Sequence, residues 1–335
     1  MHPRYRQQIR ALGGEEAQAK LRAAKVALVG VGATGSAIAQ VLARAGVGTL
    51  RLIDRDLPEL SNLQRQVLYD ERDVEAGLPK AVAAASRLAQ INAEVALEVE
   101  VADLAPDNAA RLLGGVDLVL DGTDNFLTRL LVNDVCLSLG IPWVYVGVVG
   151  AEVHSFPVVP GSPPCFRCYL DAPPPPEAVA TCDTAGVLGS AVLVAGGLAA
   201  TEGLKLLVGA EPARGLFVLD TWYREAHRAE LPPDPDCPAC AGRYDYLGGQ
   251  GQADTQLCGR DAVLLRAAAP IGDLGALGQR LAGVGELKTA NAYLLRFDPP
   301  EPGYSLTVFA DGRAIVHGTQ EPSLARSLYA RYVGA

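Results

Sequence analysis

Short apolar runs alternate with amphipathic segments over the first 150 residues, and this alternation predicts strands and helices in turn. The runs Val26–Val29, Thr49–Asp54 and Val116–Leu120 have the length and β-branched content of buried strands. Further strands are predicted at 95–101 and 143–147, and helices at 4–22, 35–45, 79–93, 106–113 and 126–138. Strands and helices in this order are typical of an α/β fold with a doubly wound, mostly parallel, Rossmann-like sheet.

The pattern changes after Gly150. We predict an antiparallel strand at 153–159, a long buried helix at 186–208 and a strand at 216–220. A Gly/Gln stretch at 248–253 is a candidate linker, so the predicted domains are 1–247 and 254–335. The second reads β-α-β-β-α, typical of a small ferredoxin-like α+β accessory domain, with elements at 262–266, 274–284, 292–297, 305–316 and 323–332.

Length and charge narrow the class of protein. A chain of 335 residues can bury a large core in two domains. Its net charge of -9 argues against a nucleic-acid or anionic membrane surface as the main partner. The start of the chain has no apolar run of the secretory type, and the uncharged stretch Ala185–Thr201 fits a packed core helix better than a bilayer span. We therefore predict a cytoplasmic protein.

A glycine loop follows the first predicted strand. Gly30, Gly32 and Gly35 let the backbone approach a phosphate at the positive end of the next helix. Asp54 closes the second strand, where it can accept hydrogen bonds from ribose hydroxyls. Taken alone, this unit fits an NAD-dependent oxidoreductase equally well.

A polar block distinguishes the chain from a dinucleotide enzyme. It reads Ser61-Asn62-Leu63-Gln64-Arg65-Gln66, and Lys80 follows at a predicted helix start. A triphosphate needs this additional neutralising charge, which Arg65 and Lys80 can supply, whereas a dinucleotide does not. As an isolated residue, Lys80 fits an ordinary surface cation better.

An aspartate and an asparagine follow a predicted buried strand. Asp124 and Asn125 lie where open α/β sheets bind ligands, and the carboxylate can hold Mg²⁺ between phosphates. Asp124 also suits the position of helix N-cap, and the two roles are compatible.

The seven cysteines include two CxxC pairs. These pairs can supply four thiolates, which predicts a closed structural Zn²⁺ site that links two segments through Cys165, Cys168, Cys237 and Cys240. Cys182 precedes the long helix and is either a nucleophile or an unreactive loop thiol. Cys136 fits a core position, and Cys258 has no evident partner.

The motifs GVGATG, IDRD, SNLQRQ, PK, DGTDN, CFRC, TC and CPAC occur in this order, and together they resemble the ubiquitin-activating (E1-like) family, closest to its bacterial MoeB/ThiF group. The similarity covers about residues 4–242. It implies a homodimeric adenylyltransferase that uses ATP and Mg²⁺ to activate the C-terminal glycine carboxylate of a ubiquitin-like sulfur carrier ending in Gly-Gly. Thiocarboxylation by a sulfurtransferase or cysteine desulfurase would follow, for thiamin, molybdopterin or tRNA thiolation.

The resemblance also assigns roles. The glycine loop and Asp54 would hold the nucleotide, the polar block and Lys80 the triphosphate, and Asp124 the magnesium. Asn125 would lie beside the nucleotide, Arg129 near the incoming carboxylate, and Cys182 would take up the activated carrier or exchange sulfur. One position departs from the family: a second arginine that reaches the neighbouring subunit is replaced by Gln7, so Arg6 is the candidate substitute. A catalytically silent carrier-binding scaffold remains the alternative that this departure favours.

Overall fold

The computed structural model describes residues 2–175, 185–251, 255–256, 261–265 and 271–334. The chain divides into two compact units, Met1–Gln250 and Gly251–Ala335, and each is treated by itself.

The described part of the first unit is built on an eight-stranded sheet with the order β3-β2-β1-β4-β5-β6-β7-β8. The first five strands in that order are parallel, and the last three join as antiparallel neighbours. The strands are β1 (Lys25–Val29), β2 (Thr49–Ile53), β3 (Ala96–Glu100), β4 (Leu118–Asp121), β5 (Trp143–Val149), β6 (Glu152–Val158), β7 (Leu216–Asp220) and β8 (Glu225–Ala229). The predicted α/β class with a mostly parallel sheet is confirmed, and β8 was not predicted.

Helices cover both faces of this sheet. They are α1 (Arg6–Ala11), α2 (Glu15–Ala23), α3 (Ala33–Ala45), α4 (Glu71–Ala76), α5 (Lys80–Ile91), α6 (Pro106–Leu113), α7 (Phe126–Leu139), α8 (Phe166–Tyr169) and α9 (Gly189–Val208). One apolar core combines α3, α5 and α9, and the other combines α6 and α7 with the aromatic side chains of β5 and β6. The strand order changes direction between β1 and β4, and ligands bind at such a switch point in open α/β sheets.

The first predicted helix is interrupted. Gly13 and Gly14 have φ angles of 86° and 144°, so the backbone leaves the helical region between α1 and α2. The prediction of one helix at 4–22 is therefore wrong, because its apolar periodicity continues across a break that the two glycines produce.

The long helix α9 is only half buried. Its inner face packs closely on α3, where a Cβ added to Gly196 would lie 2.5 Å from the Cβ of Ala37. Leu193 and Val194 on the outer face are exposed. Among the described helices, α9 alone is long and apolar enough to cross a membrane by length and composition. The prediction of a buried helix is therefore correct for one face and wrong for the other.

The described part of the second unit is an antiparallel sheet with two helices. Its strands follow the order β11-β12-β13-β14-β10-β9, in which β11 to β14 form a meander. This order differs from the predicted ferredoxin-like pattern, and the predicted strand 305–316 is a hairpin of two strands. The elements are β9 (Thr255–Gln256), β10 (Ala262–Leu265), α10 (Leu274–Ala282), β11 (Glu286–Ala290), β12 (Leu294–Asp298), β13 (Ser305–Phe309), β14 (Ala314–His317) and α11 (Pro322–Tyr332).

Candidate functional site

The glycine loop joins β1 to α3 at the switch point. Gly30 has a φ of 81°, and a Cβ there would lie 2.7 Å from the carbonyl oxygen of Gly122. A Cβ on Gly35 would lie 2.0 Å from the carbonyl oxygen of Gly30. These two glycines are therefore required by packing between the loops after β1 and β4.

Gly32 is different, because the nearest atom to an added Cβ is the Gln66 amide nitrogen at 3.8 Å. Gly32 is also the N-cap of α3, and no side chain caps that helix. Backbone N–H groups at such an end attract anions. The open position at Gly32 thus leaves the helix N-terminus accessible to a phosphate.

Asp54 is buried directly after β2 and organises the loop. Its carboxylate accepts hydrogen bonds from the backbone N–H of Val31 at 2.7 Å and of Asp56 at 2.7 Å. Burial raises the pKa of Asp54, while the positive charge of Lys80 opposes that shift. Contact of Asp54 with ribose hydroxyls stays a prediction. Each carboxylate oxygen still has a lone pair that could accept a hydrogen bond from a hydroxyl.

Two carboxamides of the polar block are buried, and that of Gln66 lies beside Gly32. The Oδ1 atom of Asn62 and the Oε1 atom of Gln66 accept no hydrogen bond from the described residues. A buried unpaired polar atom costs about 1–3 kcal/mol. Because rotation of a carboxamide exchanges its donor and acceptor, both groups are suited to a polar ligand next to Gly32.

Arg65 completes the polar block. Its guanidinium donates to the backbone carbonyl of Ser61 at 2.9 Å and pairs with no carboxylate among the described residues. The side chains of Ser61 and Gln64 are exposed, whereas Leu63 packs against the apolar core. The structure places Gln66 beside the glycine loop, and contact of the six residues of the block with a nucleotide stays a prediction.

Lys80 is the first residue of α5 and is only 4% exposed. Its ammonium lies 3.6 Å from Oδ2 of Asp56, and its backbone N–H donates to the carbonyl of Asp56 at 2.8 Å. A buried lysine whose charge acts on both Asp54 and Asp56 is not an ordinary surface cation. The interpretation of Lys80 as a surface residue is therefore wrong.

The sequence allowed Asp124 two roles, as N-cap of the next helix and as a ligand of Mg²⁺. Asn125 is the N-cap of α7, because its side chain accepts a hydrogen bond from the backbone N–H of Thr128 at 2.8 Å. Asp124 is exposed, and its carboxylate forms no hydrogen bond or ion pair with a described residue. The cap assignment to Asp124 is wrong, and its carboxylate is available to a cation.

Arg129 is buried beneath the loop that carries Asp124. Its guanidinium donates to Asp121 at 2.8 Å and to the backbone carbonyls of Thr123 at 2.6 Å and Val146 at 3.1 Å. Burial lowers the pKa of Arg129, but the surrounding acidic groups, Asp121 first, raise it above its ordinary value. Arg129 therefore positions the loop, and its contact with an incoming carboxylate stays a prediction.

Arg6 lies far from this site. The neighbouring Gln8 side chain donates to the carbonyl of Ala45 at 2.7 Å, so α1 packs at the C-terminal end of α3. Gly32 lies at the opposite end, about 20 Å away for a helix of this length. Arg6 and Gln7 are both exposed, and the structure does not bring Arg6 into the site of its own subunit.

The two CxxC pairs converge into one cluster. The four sulfur atoms lie within 4.8 Å of one another, and neighbouring pairs are separated by 3.6 to 4.0 Å. A tetrahedron with Zn–S bonds of about 2.3 Å has edges of about 3.8 Å, whereas a disulfide needs about 2.0 Å. The cluster therefore fits one Zn²⁺ ligated by Cys165, Cys168, Cys237 and Cys240.

Two neighbours hold this cluster in place. The Asn133 amide donates to Sγ of Cys165 at 3.8 Å and accepts from the backbone N–H of Phe166 at 3.0 Å. Arg167 is buried and pairs with Asp134 at 3.5 Å and Asp245 at 3.1 Å. These contacts tie α8 to α7 and to the segment after the second CxxC, and they help to orient the first CxxC pair.

Three cysteines do not belong to the cluster. Cys136 is buried in α7, where burial raises the pKa of its thiol. Cys182 and Cys258 lie outside the described residues, so the role predicted for Cys182 stays a prediction.

Four residues that carry the site were not singled out from the sequence. Asp56 pairs with Lys80, Asp121 holds Arg129, and Tyr69 donates to the carbonyl of Val31 at 2.7 Å. Arg55 pairs with Asp103 at 2.7 Å. The Asp residues within IDRD and DGTDN were visible signals, whereas Tyr69 had none.

Comparison with known proteins shows which proteins this chain resembles. Residues 5–239 match the model of the ThiF family. The chain is 40% identical over 335 residues to a sulfur carrier protein ThiS adenylyltransferase of Bacillus subtilis, covering 98% of each chain. It is 40% identical over 243 residues to a sulfur carrier protein adenylyltransferase of Thermus thermophilus, covering 70% of this chain and 89% of that one.

A solved structure, Escherichia coli MccB with ATP, has a similar fold with a TM-score of 0.63. Its sequence is 22% identical, and the match covers 72% of this chain and 75% of that one. The family match spans more than two thirds of this chain, and the relative from Bacillus subtilis matches nearly all of it. The chain therefore belongs to the ThiF family.

Proposed function

We propose that the chain is an enzyme that adenylates the C-terminal glycine carboxylate of a ubiquitin-like sulfur carrier with ATP. One observation carries the proposal. The open helix N-terminus at Gly32 follows β1, the buried Lys80 contacts Asp56 after β2, and the exposed Asp124 follows β4, so all three lie at the carboxyl ends of neighbouring strands. In this proposal Arg65, which pairs with no carboxylate among the described residues, adds a further positive charge. This set neutralises a triphosphate and leaves a position for a divalent cation.

The reaction needs positioning and charge stabilisation more than covalent catalysis. A carboxylate oxygen of the carrier attacks the α-phosphorus of ATP, and the bond from that phosphorus to the α–β bridging oxygen breaks. Pyrophosphate leaves with the electron pair, and an acyl-adenylate remains. The helix N-terminus and Arg65 hold the phosphates, and Lys80 stabilises the charge that develops on them. Mg²⁺ ligated by Asp124 would neutralise the phosphates further.

A second copy of the chain completes the proposal. Leu193 and Val194 of α9 and Val41 of α3 are exposed on neighbouring helices, which leaves an apolar surface in the isolated chain. A homodimer through this surface would cover it. Because Arg6 lies about 20 Å from its own site, it acts in this proposal only on the site of the partner subunit.

Zinc has a structural role in this proposal. The four-cysteine site would link α8 to the segment after β8, and with four protein ligands it has no open position for water. The five cysteines in the described part of the chain are all free, which supports a reducing, cytoplasmic location.

The adenylation reaction belongs to domain 1–247, and 254–335 is an accessory domain. A sulfurtransferase or cysteine desulfurase would then supply sulfur to the acyl-adenylate. The comparisons do not favour the NAD-dependent oxidoreductase. The relative that matches 98% of the chain is named for ThiS, so a ThiS-type carrier is the first substrate to test.

ATP–pyrophosphate exchange tests the reaction directly. The wild-type protein should exchange label only when Mg²⁺ and a carrier ending in Gly-Gly are both present. Arg65→Ala should lose at least about 100-fold, whereas Arg214→Ala, which removes an exposed arginine that pairs with Glu211, should exchange normally. Mg-ATP binding without exchange, for every carrier tried, would instead identify a silent scaffold.

A further inference from the structure

Tyr69 is buried behind the glycine loop and carries a hydroxyl that reaches two backbone carbonyls. Its side chain is only 7% exposed and belongs to the apolar core beside α3 and α5. The hydroxyl donates a hydrogen bond to the carbonyl of Val31 at 2.7 Å and lies 3.3 Å from the carbonyl of Lys80. Because a hydroxyl has one hydrogen to donate, the shorter contact, to Val31, is the principal bond. One side-chain atom thus joins the glycine loop to the first residue of α5.

The bond to Val31 fixes the direction of one peptide group in the loop. The carbonyl of Val31 and the N–H of Gly32 belong to the same planar trans peptide, so they point in opposite directions. With the carbonyl turned towards Tyr69, the N–H of Gly32 is turned away from it. That N–H donates to no acceptor among the residues that the structure describes. It is therefore a free donor at the N-terminus of α3, where an anion is attracted.

The neighbouring peptides are held by other bonds. In the preceding peptide, the N–H of Val31 donates to the carboxylate of Asp54 at 2.7 Å. In the following peptide, the carbonyl of Gly32 accepts from the backbone N–H of Ser36 at 3.0 Å. Within the described part of the chain, only the hydroxyl of Tyr69 holds the peptide between Val31 and Gly32 by a hydrogen bond.

The residue after this peptide allows it to turn over. A half-turn of a peptide group changes ψ of the residue before it and φ of the residue after it. Gly32 has a φ of −71°, and a half-turn would make that angle positive, which glycine tolerates and other residues rarely adopt. The carbonyl oxygen of Val31 would then face the position that the N–H of Gly32 faces now, and its negative partial charge repels a phosphate. The hydroxyl of Tyr69 opposes this reversal.

The hydroxyl keeps its proton at neutral and moderately alkaline pH. Burial, and after it the negative charge of Asp54, raises the pKa of Tyr69 well above its ordinary value. The proton that bonds to the carbonyl of Val31 is therefore retained. Phenylalanine would fill nearly the same volume and would remove only the hydroxyl and its bond.

We propose that Tyr69 is a positioning residue for ATP, because its hydroxyl holds the peptide between Val31 and Gly32 with the N–H directed at the phosphates. This assignment rests on the proposed adenylation reaction. Tyr69 itself contacts no substrate and acts through the backbone of the loop. The same hydroxyl contacts the backbone of Lys80, so the two groups assigned to the triphosphate are held against one atom.

The first test is the kinetics of Tyr69→Phe in the exchange assay. The KM for ATP should rise at least about fivefold, because loops with the reversed peptide do not bind ATP and lower the apparent affinity in proportion to their population. The kcat at saturating ATP should stay within about twofold, because bound ATP selects the productive orientation. The KM for a ThiS-type carrier should also stay within about twofold. A general loss of structure would instead lower kcat.

Tyr5→Phe is the matched control. Tyr5 is 1% exposed, and its hydroxyl accepts a hydrogen bond from the Asn92 amide at 2.8 Å and donates one to Glu94 at 3.1 Å. Its ring lies against Gly46, at the C-terminal end of α3 and opposite to the glycine loop. Each variant loses one buried hydroxyl, so both should melt below the wild-type temperature. Only Tyr69→Phe should bind ATP more weakly.

Titration calorimetry with Mg-ATP separates this assignment from the adenylation reaction. A Kd in Tyr69→Phe at least about fivefold above that of the wild-type protein and of Tyr5→Phe supports the positioning role. Equal Kd values in Tyr69→Phe and the wild-type protein overturn it and leave the reaction standing, and an equal weakening in Tyr5→Phe overturns it as well. Wild-type protein that binds Mg-ATP but never exchanges pyrophosphate overturns the adenylation reaction, while the Kd values still decide the role of Tyr69.

Discussion

Replacing Cys240 by serine tests the zinc site with little other damage to the protein. The side chain of Cys240 is exposed, whereas Cys165 and Cys237 are buried, so Cys240→Ser creates no cavity in the core. A loss of stability in Cys240→Ser therefore reports on metal ligation.

The size of that loss follows from the loop that the cluster closes. Of the ligands on the two segments, Cys168 and Cys237 are the nearest in sequence, and the chain between them is about 70 residues long. A cross-link that closes a loop of this length stabilises a fold by about 4 kcal/mol, taken as an upper value. For a unit of this size the melting temperature should fall by up to about 8–16 °C.

The assay is zinc content by atomic emission together with calorimetric melting. Wild-type protein should contain one zinc per chain, and Cys240→Ser and Cys165→Ser should contain much less. Cys136→Ala is the control, because that buried cysteine lies outside the cluster and its loss should leave the zinc content unchanged. One zinc per chain in Cys240→Ser with an unchanged melting temperature would refute the four-cysteine site.

Three further predictions concern the ATP site. Asp124→Ala should abolish pyrophosphate exchange and leave the melting temperature within about 2 °C, because the carboxylate is exposed and forms no hydrogen bond or ion pair with a described residue; normal exchange would remove it from the mechanism. Lys80→Met should cost about 3 kcal/mol at pH 7 in urea unfolding. Burial raises the pKa of Asp54 and the charge of Lys80 lowers it, so removal of the lysine raises that pKa further. The folded state then loses more free energy of unfolding as Asp54 ionises between pH 4 and pH 7, and Lys80→Met should be more destabilised at pH 7 than at pH 4. An equal loss at both pH values contradicts this account. Gly122→Ala should destabilise the fold by at least about 2 kcal/mol, because its Cβ would lie 2.3 Å from the carbonyl oxygen of Gly30; a soluble variant with wild-type unfolding would contradict that contact.

The sequence predicted those parts of the fold that depend on local pattern. The run Val26–Val29, the glycine loop and the helix after it each carry their own signal, and all three are present at the switch point. In the second unit, local sequence pattern did not predict the number or the order of the strands. Asp311-Gly312 is a hairpin signal inside the predicted strand 305–316, and it divides that strand into β13 and β14. Strand order depends on contacts between distant segments, so local periodicity did not predict the meander.

In the candidate site, too, the sequence predicted residue types but not contacts between distant residues. Residue types predicted the polar block, but not that Asn62 and Gln66 are the two polar side chains of the block that are buried. The burial of Lys80 depends on Asp56, which is 24 residues earlier in the chain. Asp124 and Asn125 are equally good caps by residue type, and the end of β4 at Asp121 decides that Asn125 takes that position.

The contact among Gly30, Gly35 and Gly122 has a consequence for how this site can evolve. Each glycine occupies space that a methyl group on the others would need, so no one of the three can be replaced while the other two stay in place. The glycine loop and the loop that carries Asp124 therefore form one rigid unit. If the proposed phosphate and cation positions are correct, the spacing between them is fixed by three residues that have no side chain to adjust, and changes in substrate preference have to arise elsewhere in the site.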